Sequence, residues 1–209
     1  MIQKRKKFET KTAFKTRVKK RAKIEEKIFI GILVLGVIYY LFFESLSFGE
    51  DYRYTLYVFW LPTILGFIFS VKYSFIAEYW RSLLIDLKKE KYFVMKIFYP
   101  LFLVAMTFMY SVIMFWMPSN IIWDGVNKIE SITNKIEVYN LPVDEFHEGY
   151  GRRDRDKICF RFKNQPESIP VSNEFIKSYS EKNPKNYRLK LEVRKGIWSY
   201  YVYESFEIL

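Results

Sequence analysis

The sequence is poor in the residues that carry most enzyme chemistry. Its 209 residues include one cysteine, Cys159, and one histidine, His147. A single cysteine excludes a disulfide-stapled scaffold. The spacings GxSxG, HExxH and GxxxxGK[ST], a CxxC pair and the glycine-rich dinucleotide fingerprint are all missing from the chain. We therefore expect a non-enzymatic protein that uses no cofactor.

His147 and Cys159 both have ordinary structural explanations. His147 lies among Asp144, Glu145 and Glu148, which could join it around a metal ion. A catalytic zinc site needs three protein ligands with ordered supporting partners, and acid-rich loops form such runs by chance. Cys159 lies in the alternating run ICFRF, which is typical of a half-buried structural thiol. We predict neither a metal site nor a catalytic residue.

Positive charge is concentrated at the start of the chain. Residues 1–27 have 12 Lys or Arg against 3 Asp or Glu, and so supply +9 of the net charge of +11. Half of all residues are hydrophobic and a fifth are aromatic. A basic arm, an apolar middle and a balanced polar end are incompatible with one soluble globular domain or with a long disordered chain.

Three apolar stretches follow the arm, and each is long enough to predict a membrane-spanning helix. The predicted spans cover residues 28–48, 54–76 and 93–117. Residues 76–92 carry apolar side chains at three- and four-residue steps, which predicts an amphipathic cytoplasmic connector. A cleaved signal peptide is the alternative for the first span. A basic leader of 27 residues is long for that purpose, and two further spans follow.

The distribution of Lys and Arg predicts sidedness, because basic segments stay in the cytoplasm. The arm and the connector are basic, whereas the loop 44–53 has three acids and one base. We therefore predict a multi-pass bacterial inner-membrane protein with a cytoplasmic arm (1–27), a three-helix membrane region (28–117) and a periplasmic domain (118–209). The residues expected to set topology or contact the membrane surface are Lys4, Arg5, Lys6, Lys7, Arg17, Lys19, Lys20, Arg21, Lys23, Arg81, Lys88 and Lys89.

The basic arm has two possible anionic partners. Its Lys and Arg blocks could neutralise phosphates of nucleic acid or of anionic lipid. The arm is joined directly to a predicted span and lacks an aromatic-interleaved or helix-turn-helix pattern. We expect membrane lipid as its partner and no nucleic acid.

The last 92 residues change to the patterns of a small α+β domain. Ile122, Val126, Ile129 and Ile132 have the spacing of a short amphipathic helix. Residues 187–193 alternate strictly between apolar and polar side chains, and the last 23 residues read as a hairpin with its turn at Lys195-Gly196. We predict an antiparallel sheet of about four strands, with one face covered by a helix that begins near Ser172.

One face of that hairpin is the candidate binding surface for a protein partner. Aromatic and Arg side chains are enriched in protein interfaces. The candidate residues are Arg188, Lys190, Arg194, Trp198, Tyr201 and Tyr203. A solvated face with ordinary cross-strand pairs explains the same residues equally simply.

The overall layout resembles that of small inner-membrane accessory proteins, including immunity proteins against secreted toxins and entry-exclusion proteins. No motif supports a residue-by-residue transfer from them. The leading hypothesis is self-protection, in which the periplasmic domain binds a toxin. A structural or assembly subunit of an envelope or secretion complex and a membrane sensor are the alternatives, and an oligomer is compatible with all three.

Overall fold

The computed structural model describes residues 11–149, 154–179 and 182–209. The chain divides into two compact units that interleave along the sequence. The helical unit comprises Met1–Glu44 and Thr55–Trp123, and the sheet unit comprises Ser45–Tyr54 and Asp124–Leu209. The sheet unit therefore includes residues 45–53, which precede the second predicted span, and Tyr54, the first residue of that span.

The helical unit is built from long helices with a small buried centre. Phe29 stacks on Tyr110 with ring centroids 5.4 Å apart, and the Trp80 indole N–H donates to the Thr107 hydroxyl at 2.9 Å. Helix bounds are α1 Lys11–Phe42, a π-helical segment Tyr54–Trp60 leading into α2 Leu61–Tyr73, α3 Ile76–Lys89, α4 Phe93–Ser111, and a π-helical segment Val112–Trp116 leading into α5 Met117–Thr133.

Two helices within the described residues are long and apolar enough to cross a membrane, rather than the three that we predicted. They are Tyr54–Tyr73, with 20 residues, and Phe93–Thr133, with 41 residues. Only 22% of the most apolar stretch of each is buried. The core helix of a soluble protein is mostly buried, so these helices differ from that type in their exposure.

The prediction of a first span over residues 28–48 is wrong. Helix α1 ends at Phe42, which leaves 15 residues after its last charged side chain, Lys27. At 1.5 Å per residue they reach about 22 Å, which is short of a hydrocarbon core of roughly 30 Å. Leu46 and Phe48, which the prediction used to lengthen the span, pack instead in the core of the sheet unit.

The predicted connector forms helix α3, but it is not continuous with the preceding helix. Helix α2 ends at Tyr73, and Ser74 adopts an extended conformation. The Ser74 hydroxyl accepts the Ile76 backbone N–H at 3.0 Å and so begins α3 with a new cap. Ile76 is buried against α4 residues, which places part of the apolar face of α3 on protein.

The sheet unit contains one antiparallel sheet of six strands instead of the predicted four. Strand bounds are β1 Ser47–Phe48, β2 Ile136–His147, β3 Lys157–Phe162, β4 Gln165–Pro170, β5 Arg188–Lys195 and β6 Tyr201–Ile208. Their order in the sheet is β1-β6-β5-β2-β3-β4. The two unexpected strands are the edge strands, β1 and β4.

Both missed strands have a physical reason for their weak sequence signal. Strand β1 has only two residues, too few to show alternation. Strand β4 contains Pro166 and Pro170, which are tolerated because β4 is an edge strand. Strands β5 and β6 confirm the predicted C-terminal hairpin.

The core of the sheet unit is aromatic, and Phe48 lies at its centre. Phe48 is fully buried, and its ring lies 5.6 Å from Phe160, 6.0 Å from Phe162 and 6.2 Å from Tyr203, centroid to centroid. The predicted covering helix is α6 Asn173–Lys177, whose N-cap Ser172 accepts the Phe175 backbone N–H at 3.3 Å. This helix packs on the core through buried Ile176.

The two edges of the sheet approach each other, so that the sheet is nearly closed. The Gly49 backbone N–H, just after β1, donates to the Glu167 carboxylate on β4 at 3.0 Å. Burial raises the pKa of Glu167, and this hydrogen bond opposes the rise only in part. The carboxylate therefore joins the edges at the cost of desolvating its charge.

Glu167→Gln is expected to flatten the pH dependence of stability. A carboxyl whose folded pKa is raised contributes most stability below its unfolded pKa of 4.5, and this contribution is lost as pH rises through the folded value. Glutamine still offers a carbonyl oxygen to Gly49 but does not ionise. Pulse proteolysis of the full chain in mild detergent between pH 4.5 and 8 should show a smaller decline for Glu167→Gln than for wild type. The same substitution at exposed Glu174 should leave the wild-type decline unchanged, and an equal decline in both variants would contradict the assignment.

Candidate interaction surface on the sheet unit

Two loops of the sheet unit, 49–53 and 196–200, pack closely against each other. Gly49 has φ +118°, and a Cβ placed there would lie 2.6 Å from the Ser199 carbonyl oxygen. Only glycine tolerates both that backbone conformation and that approach. The loop after β1 is thereby held against the turn that joins β5 to β6.

The 196–200 turn is strained at an aromatic residue. The Gly196 N–H donates to the Tyr200 carbonyl at 2.8 Å, and the Tyr200 N–H donates to the Ile197 carbonyl at 3.0 Å. Between them, Trp198 has φ +52° and Ser199 has φ +68°. A bulky residue in the left-handed region is a genuine outlier that costs on the order of 1–3 kcal/mol. Such strain concentrates at functional sites, and it marks Trp198 as a candidate.

Buried polar side chains of α5 hold both loops in place. Asn127 is fully buried; its Oδ1 accepts the Ile197 N–H at 2.9 Å and its Nδ2 donates to the Ser47 hydroxyl at 3.4 Å. Asp124, also buried, accepts from the Ser45 hydroxyl and pairs with Lys128 at 3.1 Å. One helix thus fixes the chain just before the 49–53 loop and at the 196–200 turn.

The two loops present an aromatic surface with one arginine, which we call the Trp198 surface. The Arg53 guanidinium carbon lies 5.8 Å from the centre of the Trp198 ring, and the Tyr54 and Tyr200 rings are 5.7 Å apart. Tyr52 is 75% exposed. The Trp198 surface consists of Tyr52, Arg53, Tyr54, Trp198 and Tyr200.

Asp51 orients the arginine of this surface. Arg53 Nη2 and Nε donate to the two Asp51 carboxylate oxygens at 2.7 and 2.9 Å, and the Arg53 backbone N–H donates to the same carboxylate at 2.8 Å. These hydrogen bonds lower the pKa of Asp51. The guanidinium is therefore a preorganised, permanently charged donor beside aromatic rings, a combination typical of interface anchors.

The structure places one of the six predicted partner-binding residues, Trp198, on this surface. Tyr201 is buried, and Tyr203 packs against the same core. Arg188, Lys190 and Arg194 lie on the opposite face of the hairpin, where Lys190 pairs with Glu207 at 3.3 Å and Arg194 with Glu204 at 2.9 Å. The predicted grouping of tyrosines with basic residues on one face is wrong.

The length of the turn explains this error. A two-residue turn at Lys195-Gly196 would set Tyr201 opposite Lys190, whereas the observed partner of Tyr201 is Lys195. The register therefore differs by five positions. An odd shift exchanges the two faces of a strand, so it moves the tyrosines to the core side.

The predicted membrane-surface residues are distributed over α1 and α3. Arg17, Lys19, Lys20, Arg21 and Lys23 lie on α1, and Arg81 lies on α3, 3.5 Å from the Lys72 carbonyl oxygen. Lys4, Arg5, Lys6 and Lys7 lie outside the described residues, as do the side chains of Lys88 and Lys89. Helix α1 joins the basic residues to the apolar stretch without a break.

His147 takes part in ion pairs with two acids. Its Nδ1 lies 3.2 Å from Glu145 and its Nε2 lies 2.9 Å from Asp154; these hydrogen bonds raise the pKa of His147. Across the described part of the chain, no three His, Cys, Asp or Glu residues are grouped so as to hold a metal ion. Cys159 is half-buried, and burial raises the pKa of its thiol.

Sequence reasoning missed Asn127 and the residues of the 49–53 loop as parts of a site. The one local signal was a tyrosine-rich segment beside an apolar stretch. Its pairing with a turn about 150 residues away had no local signal.

Comparison with known proteins finds no relative of this chain. No protein-family model, no curated protein and no solved structure matches the chain. Function is therefore inferred from the surfaces described above.

Proposed function

We propose that this chain is a membrane-anchored, non-enzymatic protein whose sheet unit binds a protein partner. The observation that carries the anchoring is the pair of helices long and apolar enough to cross a membrane. Strands β1 and β6 pair with each other and so lie on one side of that membrane, which requires an even number of crossings between residues 54 and 124. The segment between them contains the two helices that are long and apolar enough to cross, with the second extending beyond residue 124.

Charge supports a periplasmic sheet unit. The connector between the two crossings carries Arg81, Lys88, Lys89 and Lys91, and basic connectors remain in the cytoplasm. Helix α1 falls short of a crossing, so with two crossings the arm and the sheet unit share one side of the membrane, which departs from the cytoplasmic arm that the sequence predicted. The compartment proposed for the whole protein is the bacterial inner membrane.

The Trp198 surface supports binding of a protein. Its rings lose little conformational entropy on association, and Asp51 already orients the guanidinium of Arg53. Backbone strain at Trp198 is hard to explain by stability alone, since it opposes folding. In its most concrete form the function is self-protection: the surface captures a toxin that attacks the membrane or the periplasm.

Co-expression in sensitive cells tests this proposal. The full chain is expressed beside a toxin encoded next to its gene, and survival is compared with that of cells carrying an empty vector. Survival with the chain, together with co-purification of the toxin in mild detergent, is the expected result. Equal killing with and without the chain would contradict self-protection. Co-purification with several envelope proteins and no toxin would favour an assembly subunit.

A further inference from the structure

The part of α5 in the sheet unit has its polarity inverted. Asp124, Asn127 and Ser131 face inward with exposures of 2%, 0% and 3%. On the other side of the same helix, Ile129 and Ile132 are 68% and 70% exposed. A helix of a soluble domain normally shows the reverse, with its apolar stripe in the core.

The exposed apolar residues continue past the helix into β2. Ile136 and Val138 lie at the start of that strand, opposite Arg194 and Glu192, and about half of each remains exposed. We call the whole feature the apolar strip; it consists of Val126, Ile129, Ile132, Ile136 and Val138. Its two strand residues lie beside the side chains of Arg194 and Glu192 on the same face of the sheet.

The apolar strip is rigidly mounted, which suits a docking surface. The Arg194 guanidinium donates to the carbonyl oxygens of Ile132 and Asn134 at 3.3 and 3.4 Å. The Asn134 amide donates to the Lys195 carbonyl at 2.8 Å. These bonds fasten the end of α5 to the end of β5, so the helical and strand parts of the strip keep a fixed arrangement.

We infer that the apolar strip is covered by the same strip of a second copy of this chain. Each of the five aliphatic side chains of the strip is about half exposed or more. Each presents roughly 100 Å² of accessible surface, which gives on the order of 500 Å² per copy. Two such faces bury about 1,000 Å² in total, the lower limit for a biological interface, where a dimer is weak. A two-fold pair covers both strips at once and leaves neither exposed to water.

The charged neighbours of the strip are already paired within one copy, where Arg194 binds Glu204 at 2.9 Å and Glu192 lies 3.8 Å from Lys190. A second copy therefore brings no unpaired charge to the contact, whereas an acidic or basic partner would lose hydration with no opposite charge to replace it. Gly125, next to the strip, has nothing within 4 Å of the position of its missing Cβ, so a second helix can approach closely there. The dimer contact and the Trp198 surface use different residues, so partner binding is not required for pairing.

Anchoring in one bilayer sets the direction of the pair. Two copies inserted in the same orientation bring their α5 helices together in parallel, which places each residue of the helix near its own counterpart. This parallel direction rests on the proposed function, but the pairing itself does not.

Cysteine cross-linking of the full chain tests the pairing in membranes. In a Cys159→Ser background, Ile129→Cys should form a disulfide-linked dimer on mild oxidation, because the two Ile129 positions face each other. Glu174→Cys, exposed on α6, is the control and should stay monomeric. Equal cross-linking at both positions would overturn the inference. No cross-link at Ile129→Cys would overturn the parallel direction, and together with a monomeric wild type it would overturn the pairing.

Measurement of the molecular mass in mild detergent is an independent test of the pairing. The wild type should be a dimer at micromolar concentration, and the double variant Ile129→Lys/Ile132→Lys should be a monomer with an unchanged unfolding midpoint. Leu209→Lys adds one charge at another exposed apolar position, 56% exposed, and should leave the dimer intact. A wild-type monomer, or a dimer that survives both strip substitutions, refutes self-pairing. Self-pairing is also refuted if the wild type is a monomer and the strip substitutions abolish capture of another protein, because the strip is then the binding site for that protein.

Discussion

Phe48→Ala is expected to lower the free energy of unfolding of the sheet unit by about 3–5 kcal/mol, the usual cost of deleting a buried aromatic ring. Phe48 is fully buried and is enclosed by the rings of Phe160, Phe162 and Tyr203. The residue belongs to a two-residue strand far from the rest of the sheet in sequence. Pulse proteolysis of the full chain in mild detergent, across a urea series, measures the change.

Tyr52→Ala is the matched control for Phe48→Ala. It removes an aromatic ring four positions away, but that ring is 75% exposed, so the unfolding free energy should change by less than about 0.5 kcal/mol. Equal effects of the two substitutions would show that segment 45–54 does not belong to the core. A strong effect of Phe48→Ala alone would show that a segment preceding the first candidate crossing completes a domain that follows the second.

Trp198→Asn is expected to abolish protection or weaken partner binding by about 30-fold, the equivalent of roughly 2 kcal/mol at an interface anchor. Asparagine accepts the left-handed conformation that Trp198 adopts at φ +52°, so relief of strain offsets the lost ring contact with Arg53. The unfolding free energy should therefore stay within about 1 kcal/mol of wild type. Toxin protection and pulse proteolysis on the same variant separate the two effects.

Ser199→Gly provides the control for the turn itself. It relieves strain at φ +68° while leaving the indole in place, so it should stabilise the chain by up to about 1 kcal/mol and retain protection. Full protection by Trp198→Asn would remove the Trp198 surface from the proposed function. Loss of protection in both variants would assign the effect to turn geometry instead of the indole.

Elements whose sequence signal lies within one segment were predicted correctly. The alternation in residues 187–193 correctly gave β5, and Ser172 correctly marked the start of α6. Both depend on neighbours within a few residues, so the sequence contains the whole signal. The apolar stretches at 54–73 and 93–117 also correspond to helices of sufficient length to cross a membrane.

Features that depend on distant contacts were not predictable. Leu46 and Phe48 continue an apolar stretch in the sequence, but they are buried by β6 and β3 residues more than 100 positions away. The register of the last hairpin depended on a five-residue turn whose positive φ angles fall on Trp198 and Ser199, residues that give no turn signal. The amphipathic helix at 122–132 was correctly identified as a helix, but its apolar side is the exposed one.

Accessibility of single cysteines in spheroplasts tests the central claim, that two crossings hold both parts of the sheet unit outside the cytoplasm. In a Cys159→Ser background, an impermeant maleimide should label Tyr52→Cys and Glu174→Cys in intact spheroplasts, since both positions are exposed on the sheet unit. Lys91→Cys, in the connector, should be labelled only after lysis. Opposite accessibility of positions 52 and 174, or labelling of position 91 before lysis, would contradict the account.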